Sequence, residues 1–92
     1  MIKSFADRDT QTLFERNSSK RFKNNERVAL RKLVMLHAAK VLDDLKVPPG
    51  NRLEALKKDR AGQHSIRINQ QWRICFTWNN GEAENVEICD YH

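Results

Sequence analysis

The stretch from residue 64 to 91, HSIRINQQWRICFTWNNGEAENVEICDY, admits few folds. Trp72, Ile74, Phe76 and Trp78 alternate with Arg73, Cys75 and Thr77, the two-residue period of a strand with one face on a core. Asn79, Asn80 and Gly81 then supply the residues of a tight hairpin turn, and Val86 and Ile88 carry a return strand. The C-terminal half is therefore expected to be antiparallel sheet, with one apolar face and one face that displays Arg67 and Arg73.

An apolar sheet face needs a cover, and the N-terminal half provides it. MIKSF reads as a short opening strand. TQTLFERN, preceded by Asp7 and Asp9, reads as a helix with acidic residues near its positive end. From about Asn24 to Ala39, the residues Ala29, Leu30, Leu33, Val34 and Leu36 recur at three- and four-residue spacings, while Arg27, Arg31 and Lys32 lie largely off that stripe. VLDDLKV holds one more turn before Pro48, Pro49 and Gly50 stop any helix. Everything after this point reads as sheet. The fold class is thus α+β, with two N-terminal helices on one face of a mainly antiparallel sheet, and 92 residues suffice for one domain spanning 1–92.

The charge is uneven. Seventeen Lys and Arg against twelve Asp and Glu favour an anionic partner. Residues 16–32 hold seven basic side chains against Glu26 alone, and residues 52–73 hold six against Glu54 and Asp59. The segment from Glu82 onward carries only acids: Glu82, Glu84, Glu87 and Asp90. Lys and Arg on a helix ordinarily form a solvated face, and for residues 16–32 that reading stands beside phosphate binding with equal weight. Arg67 and Arg73, set among β-branched and aromatic strand residues, need a further reason, and phosphate binding supplies one.

Cys75 and Cys89 form no CxxC pair and have no His at zinc spacing, so no metal site or disulfide framework is expected. They read as small buried hydrophobes. His37 and His64 read as structural, and Trp72 and Trp78 as core. The opening residues do not form a signal sequence and no apolar run is long enough for a membrane span, so a cytoplasmic protein is expected.

The ordered pieces RLEALKKDR, G-Q-x-S-I, WRICF and the final DYH, with the opening MIKSF, resemble the HigB-type branch of the RelE-like toxins, the plasmid maintenance killer proteins. The resemblance spans essentially the whole chain. It implies a RelE-like fold and a ribosome-dependent mRNA endonuclease, the toxin of a type II toxin–antitoxin system, cutting messenger in the ribosomal A site. In such a reaction the RNA 2′-hydroxyl is the nucleophile, so no metal or cofactor is called for. The protein needs a base, an acid and cations.

Carried onto this chain, the resemblance makes Lys57 and Arg73 phosphate-stabilising cations and makes Asp90, Tyr91 and His92 the proton-handling or nucleotide-orienting cluster. Arg60, Arg67, Lys58 and Arg52 would hold neighbouring RNA. With an ordinary pKa of about 6.5, His92 is the side chain best suited to acid or base work at neutral pH. Strand alternation would put Asp90 and His92 on one side and Tyr91 on the other. The family pattern RLHPLKGDR departs here at three places, with Glu54 for histidine, Ala55 for proline and Lys58 for glycine. A carboxylate at 54 can act as a base but repels phosphate and would pair with Lys57, so a weak or moderate toxin is expected.

The implied partners are a helix-turn-helix antitoxin, the ribosome and mRNA. Two other functions fit the same residues: a module that blocks the ribosome without cutting, and a ParE-like gyrase inhibitor. The end chemistry of the RNA product and a supercoiling assay separate them.

Overall fold

The computed structural model describes residues 1–90 of the chain. Helix α1 spans Arg8–Arg16. The Asp7 carboxylate caps it by accepting the Thr10 N–H at 3.2 Å, and Asn17 ends it in the left-handed region at φ 61°. A 3₁₀ turn over Lys20–Asn25 leads into helix α2, Glu26–Ala38, which buries Ala29, Leu33 and Leu36. Val34, counted with that stripe for its four-residue spacing from Leu30, is 53% exposed, because at about 100° per residue it lies well round the helix from Ala29, Leu33 and Leu36.

A further 3₁₀ turn, Leu42–Lys46, is the turn expected before the prolines, and its Asp44 carboxylate accepts the N–H groups of Lys40 and Val41 at 2.9 and 3.2 Å. These two bonds hold Asp44 below the ordinary carboxylate range. The crossing to the sheet is clipped by Asn51, fully buried, whose amide donates to the carbonyls of Leu45 and Val47 and accepts from the Lys32 ammonium.

The sheet has four strands in sequence order, all antiparallel: β1 Glu54–Ala55, β2 His64–Arg67, β3 Trp72–Asn79 and β4 Glu82–Asp90. The β3–β4 hairpin turns on Asn80 and Gly81, both at positive φ (52° and 83°), as a two-residue turn matched to strand twist requires. A bulge on β4 between Glu84 and Glu87, opposite Cys75 to Thr77 of β3 and with Asn85 at φ 53°, shifts the alternation and so brings Ala83, Val86 and Ile88 all to the core. They meet Leu13, Phe22, Leu33, Leu36, Ile66, Ile74 and Phe76 there.

Two expectations need correction. MIKSF forms only two isolated parallel bridges to β4, Ile2 with Ala83 and Phe5 with Val86, because the bulge interrupts the ladder it would join. It still covers the outer edge of β4, together with the Thr10 hydroxyl, which accepts the Ile88 N–H at 3.0 Å. Nor is everything after Gly50 sheet. A 3₁₀ turn at Lys58–Arg60 separates β1 from β2, and β1 is only two residues long.

The two tryptophans and the histidines at 37 and 64 all make packing contacts. Trp72 and Trp78 pack against the core, Trp72 edge-on to Phe22 with 5.4 Å between ring centroids. His37 accepts the Ile2 N–H through Nδ1 and packs at a tilt on Phe14. His64 stacks on Phe76. Among the described residues, no helix is long and apolar enough to cross a membrane.

Candidate functional site

The face of the sheet away from the helices is built from the odd-numbered residues of β2 and β3. Register sets Arg67 opposite Arg73, Ser65 opposite Cys75, Arg73 opposite Cys89, and Cys75 opposite Glu87. The segment from Arg52 to Gln63 borders this face, entering the sheet as the edge strand β1 beside β2, and its Arg52 carbonyl and Glu54 carboxylate reach Arg73. Arg73 is only 5% exposed.

A buried guanidinium must find partners in fixed directions, and Arg73 has them. Its Nε donates to the Ser65 hydroxyl at 2.7 Å, its Nη2 donates to the Arg52 carbonyl at 2.8 Å, and Glu54 Oε1 lies 3.3 Å from Nη2. Ser65 is itself fully buried. Arg52 offers its carbonyl because it takes a left-handed backbone conformation, φ 46°. Glu54 thus pairs with Arg73 and not, as the sequence suggested, with Lys57.

Two clefts flank this centre and divide the candidate residues between them. One, about 200 Å³, is lined by Arg52, Arg67 and Arg73 with the amides Asn69 and Gln70. Arg67 is held there by its Nε, which donates to the Asn69 carbonyl at 3.1 Å. The other, about 360 Å³, is lined by Lys57, Lys58, Arg60, Cys75, Cys89 and Asp90, among others. Lys57 and Arg73, linked as phosphate-stabilising cations, therefore stand on different clefts.

The cations differ in how much charge they can offer. Arg60 donates to Glu87 Oε1 at 2.7 Å and to Gln63 Oε1 at 3.0 Å, and the Glu87 bond holds its pKa above the ordinary arginine value. That charge is largely matched. Lys57 and Lys58 are exposed. Lys58 also stands at φ 56°, the region that favours glycine, and it is one of the three positions where the chain leaves the family pattern. The acids of β4 are partly matched as well, with Glu82 and Glu84 at 3.8 and 3.7 Å from the Lys3 ammonium.

Asp90 pairs in register with Trp72, whose ring packs on the helix side of the sheet, and its carboxylate accepts from the Gln71 amide at 3.2 Å. Tyr91 and His92 lie outside the described residues. Of the basic stretch 16–32, Arg21 pairs with Asp7 and Asp9 and lies over the Phe22 ring, while Arg16, Lys20, Lys23, Arg27 and Arg31 form an exposed face on the helical layer.

Ser65 and Glu87 carry no role in the sequence pattern, and the cysteines read there as small buried hydrophobes. The signal was present in the alternation, which sets residues 65, 73, 75, 87 and 89 on one face once the strands are paired. Cys75 is buried, but on the polar side of the sheet, and Cys89 is half-buried beside it. With Cys89 hydrogen-bonded to its sulfur, Cys75 lies below the ordinary thiol range, and Cys89 is pushed well above it.

The family model described as the RelE-like toxin of type II toxin–antitoxin system HigB matches residues 3–92. The chain is 38% identical over 90 residues to Toxin HigB-1 of Vibrio cholerae serotype O1, covering 96% of this chain and 95% of that protein. It is 35% identical to Endoribonuclease HigB of Proteus vulgaris across the whole of both chains. Among solved structures, the YoeB–YefM toxin–antitoxin complex of Staphylococcus aureus contains a chain that superposes with a TM-score of 0.58 at 20% identity, over 100% of this chain and 98% of that one.

Proposed function

Because the chain belongs to the HigB-like toxins of type II toxin–antitoxin systems, we propose that it is an endoribonuclease that cuts messenger RNA in the ribosomal A site and so stops translation. The observation that carries this reading is the buried, pre-set guanidinium of Arg73 on a cation-lined sheet face. A phosphate-cleaving site that uses the RNA's own 2′-hydroxyl needs charge held where it develops in the transition state, and a fixed cation does this without reorganisation.

In this scheme the ribosome holds ribose and phosphate in line. Arg73 and Lys57 stabilise the phosphorane-like charge, Arg52, Lys58, Arg60 and Arg67 hold flanking RNA, and His92 with Asp90 and Tyr91 handles the protons or orients the nucleotide. No metal or cofactor enters the reaction. The name of the Proteus vulgaris relative supports the endoribonuclease assignment. A cognate antitoxin with a helix-turn-helix domain neutralises the toxin, which acts in the cytoplasm where ribosomes are.

The test is cleavage of programmed ribosomes by the purified protein, with product ends mapped. A 2′,3′-cyclic phosphate and a 5′-hydroxyl at A-site codons are expected, with a loss of roughly 10²-fold or more in His92→Ala, the usual scale for one acid or base. Translation arrest with intact messenger would replace this reading by simple ribosome blockade. Equal cutting of naked messenger would remove the ribosome from it.

A further inference from the structure

The loop between β1 and β2 carries the cations of the larger cleft, Lys57, Lys58 and Arg60, yet its own residues offer little to hold it in place. Lys57, Lys58, Asp59, Ala61 and Gly62 are all exposed, and Lys58 and Gly62 stand at positive φ, 56° and 91°. Among the described residues, one side-chain bond ties residues 57–62 to the fold beyond Gln63: Arg60 Nη1 donates to Glu87 Oε1 on β4 at 2.7 Å. We propose that Glu87 is a positioning residue for cleavage, which through Arg60 pins this loop and so holds Lys57 in the cleft wall across from the end of β4.

The bonds run in an unbroken line from β4 to Lys57. Glu87 is on the polar face, opposite Cys75 of β3, and β4 lies two strands from β2, about 10 Å at the usual spacing. The Arg60 guanidinium reaches over the polar face to meet it. Behind that side chain, the Arg60 N–H donates to the Lys57 carbonyl at 3.2 Å, and the Arg60 carbonyl accepts the Gln63 N–H at 3.0 Å. The same Nη1 donates to Gln63 Oε1 at 3.0 Å. Arg60 therefore grips both ends of the loop, and Glu87 holds Arg60.

Charge alone would give Glu87 the opposite part. A carboxylate on a face that binds RNA repels phosphate, so a Glu87 acting only by its charge would slow cleavage, and its removal would tighten binding. The bond to Arg60 makes the pair close to neutral, and with side chains 41% and 27% exposed it adds little to global stability. What the pair sets is place. A cation must stand where phosphate charge develops, and a displacement of about 1 Å costs up to roughly 10²-fold in rate. Lys57, exposed and with no side-chain partner among the described residues, takes its place from the loop.

This inference rests on the reading of the face as the RNA-cutting one, with Lys57 as a cation of the reaction, so loop and reaction are measured separately. Hydrogen–deuterium exchange of the full chain reads the loop. In Glu87→Ala, and equally in Arg60→Ala, the amides of Arg60, Ala61 and Gln63 should exchange roughly fivefold faster with β3 unchanged, while Glu87→Gln, which keeps an acceptor oxygen, should stay near the unsubstituted protein. Single-turnover cleavage on programmed ribosomes reads the reaction. Glu87→Ala should lower the maximal rate roughly tenfold with the half-saturating ribosome concentration little changed, and Glu87→Gln should recover most of that rate. The same Ala substitution should cost almost nothing once Lys57→Ala has removed the group being placed. An unchanged loop in Glu87→Ala, faster cleavage or tighter ribosome binding by that variant, or an undiminished loss in the Lys57→Ala background would each overturn the proposal. A loop that loosens as expected in a protein that cuts no RNA would keep the pin and count against the endoribonuclease reading instead.

Discussion

The Glu54 carboxylate lies 3.3 Å from the Arg73 guanidinium, at the position where the family pattern has a histidine. The pair is lopsided, since the Glu54 side chain is 44% exposed and that of Arg73 is 6% exposed. Solvent screens the carboxylate, so the bond adds only about 0–1 kcal/mol to stability. Its effect on an incoming phosphate is larger in proportion, because it offsets the charge of a cation fixed beneath the surface. Glu54→Gln keeps the shape and removes that charge. We expect its cleavage on programmed ribosomes to rise several-fold and its denaturation midpoint to move little. Single-turnover rates decide the matter, and a loss of 10²-fold or more would identify Glu54 as the general base.

Lys58 shows the second departure from the family pattern as a backbone matter. At φ 56° its Cβ crowds the neighbouring carbonyl, at a cost of roughly 1–2 kcal/mol, while glycine there would lose about 0.5–1 kcal/mol more chain entropy on folding. The first effect exceeds the second. Lys58→Gly should therefore raise stability by about 0.5–1 kcal/mol in urea unfolding. A lower unfolding free energy would show that the Lys58 side chain contributes more to the fold than its backbone costs.

Much of this architecture is legible in the chain because period-2 and period-3.6 patterns report which face is buried, and strands β3 and β4, helix α2 and the Asn80–Gly81 turn all carry such patterns clearly. The bulge at Asn85 is not legible, since one extra residue in a strand looks like ordinary spacing until its partner strand is known. The same limit governs the site. Arg73 is readable as a charge out of place, but its partners are the Ser65 hydroxyl on β2, a backbone carbonyl at Arg52 and a carboxylate at Glu54, and only the pairing of β1 and β2 with β3 in one sheet brings them together. The division of the cations between two clefts was invisible for the same reason.

The hairpin turn gives a test of the fold alone. Gly81 has φ 83°, and a Cβ there would stand 3.3 Å from the Lys40 carbonyl oxygen, so both backbone conformation and space oppose a side chain. Gly81→Ala should destabilise the protein by about 1–2 kcal/mol, with cleavage per folded molecule unchanged. Thermal melting and activity measured on the same samples check this, and an unaltered melting temperature would contradict the turn geometry.

Ser65 allows a test of the fold and of the proposed site together. Its hydroxyl accepts the Arg73 Nε–H at 2.7 Å in a fully buried position, and Ser65→Ala takes that acceptor from an ionised donor. Losing one partner of a buried charged hydrogen bond costs about 1–3 kcal/mol, so the denaturation midpoint should drop by that equivalent while the chain still folds. A structural role would end there. If Ser65 also positions Arg73 for phosphate, a shift of the guanidinium by about 1 Å is worth up to roughly 10²-fold in rate. We therefore expect single-turnover cleavage by Ser65→Ala to fall roughly 10- to 100-fold under conditions where the variant is fully folded, and Ser65→Thr, which keeps the acceptor, to recover much of the loss. Full cleavage by folded Ser65→Ala would show that the hydroxyl holds the sheet together without aiming the cation.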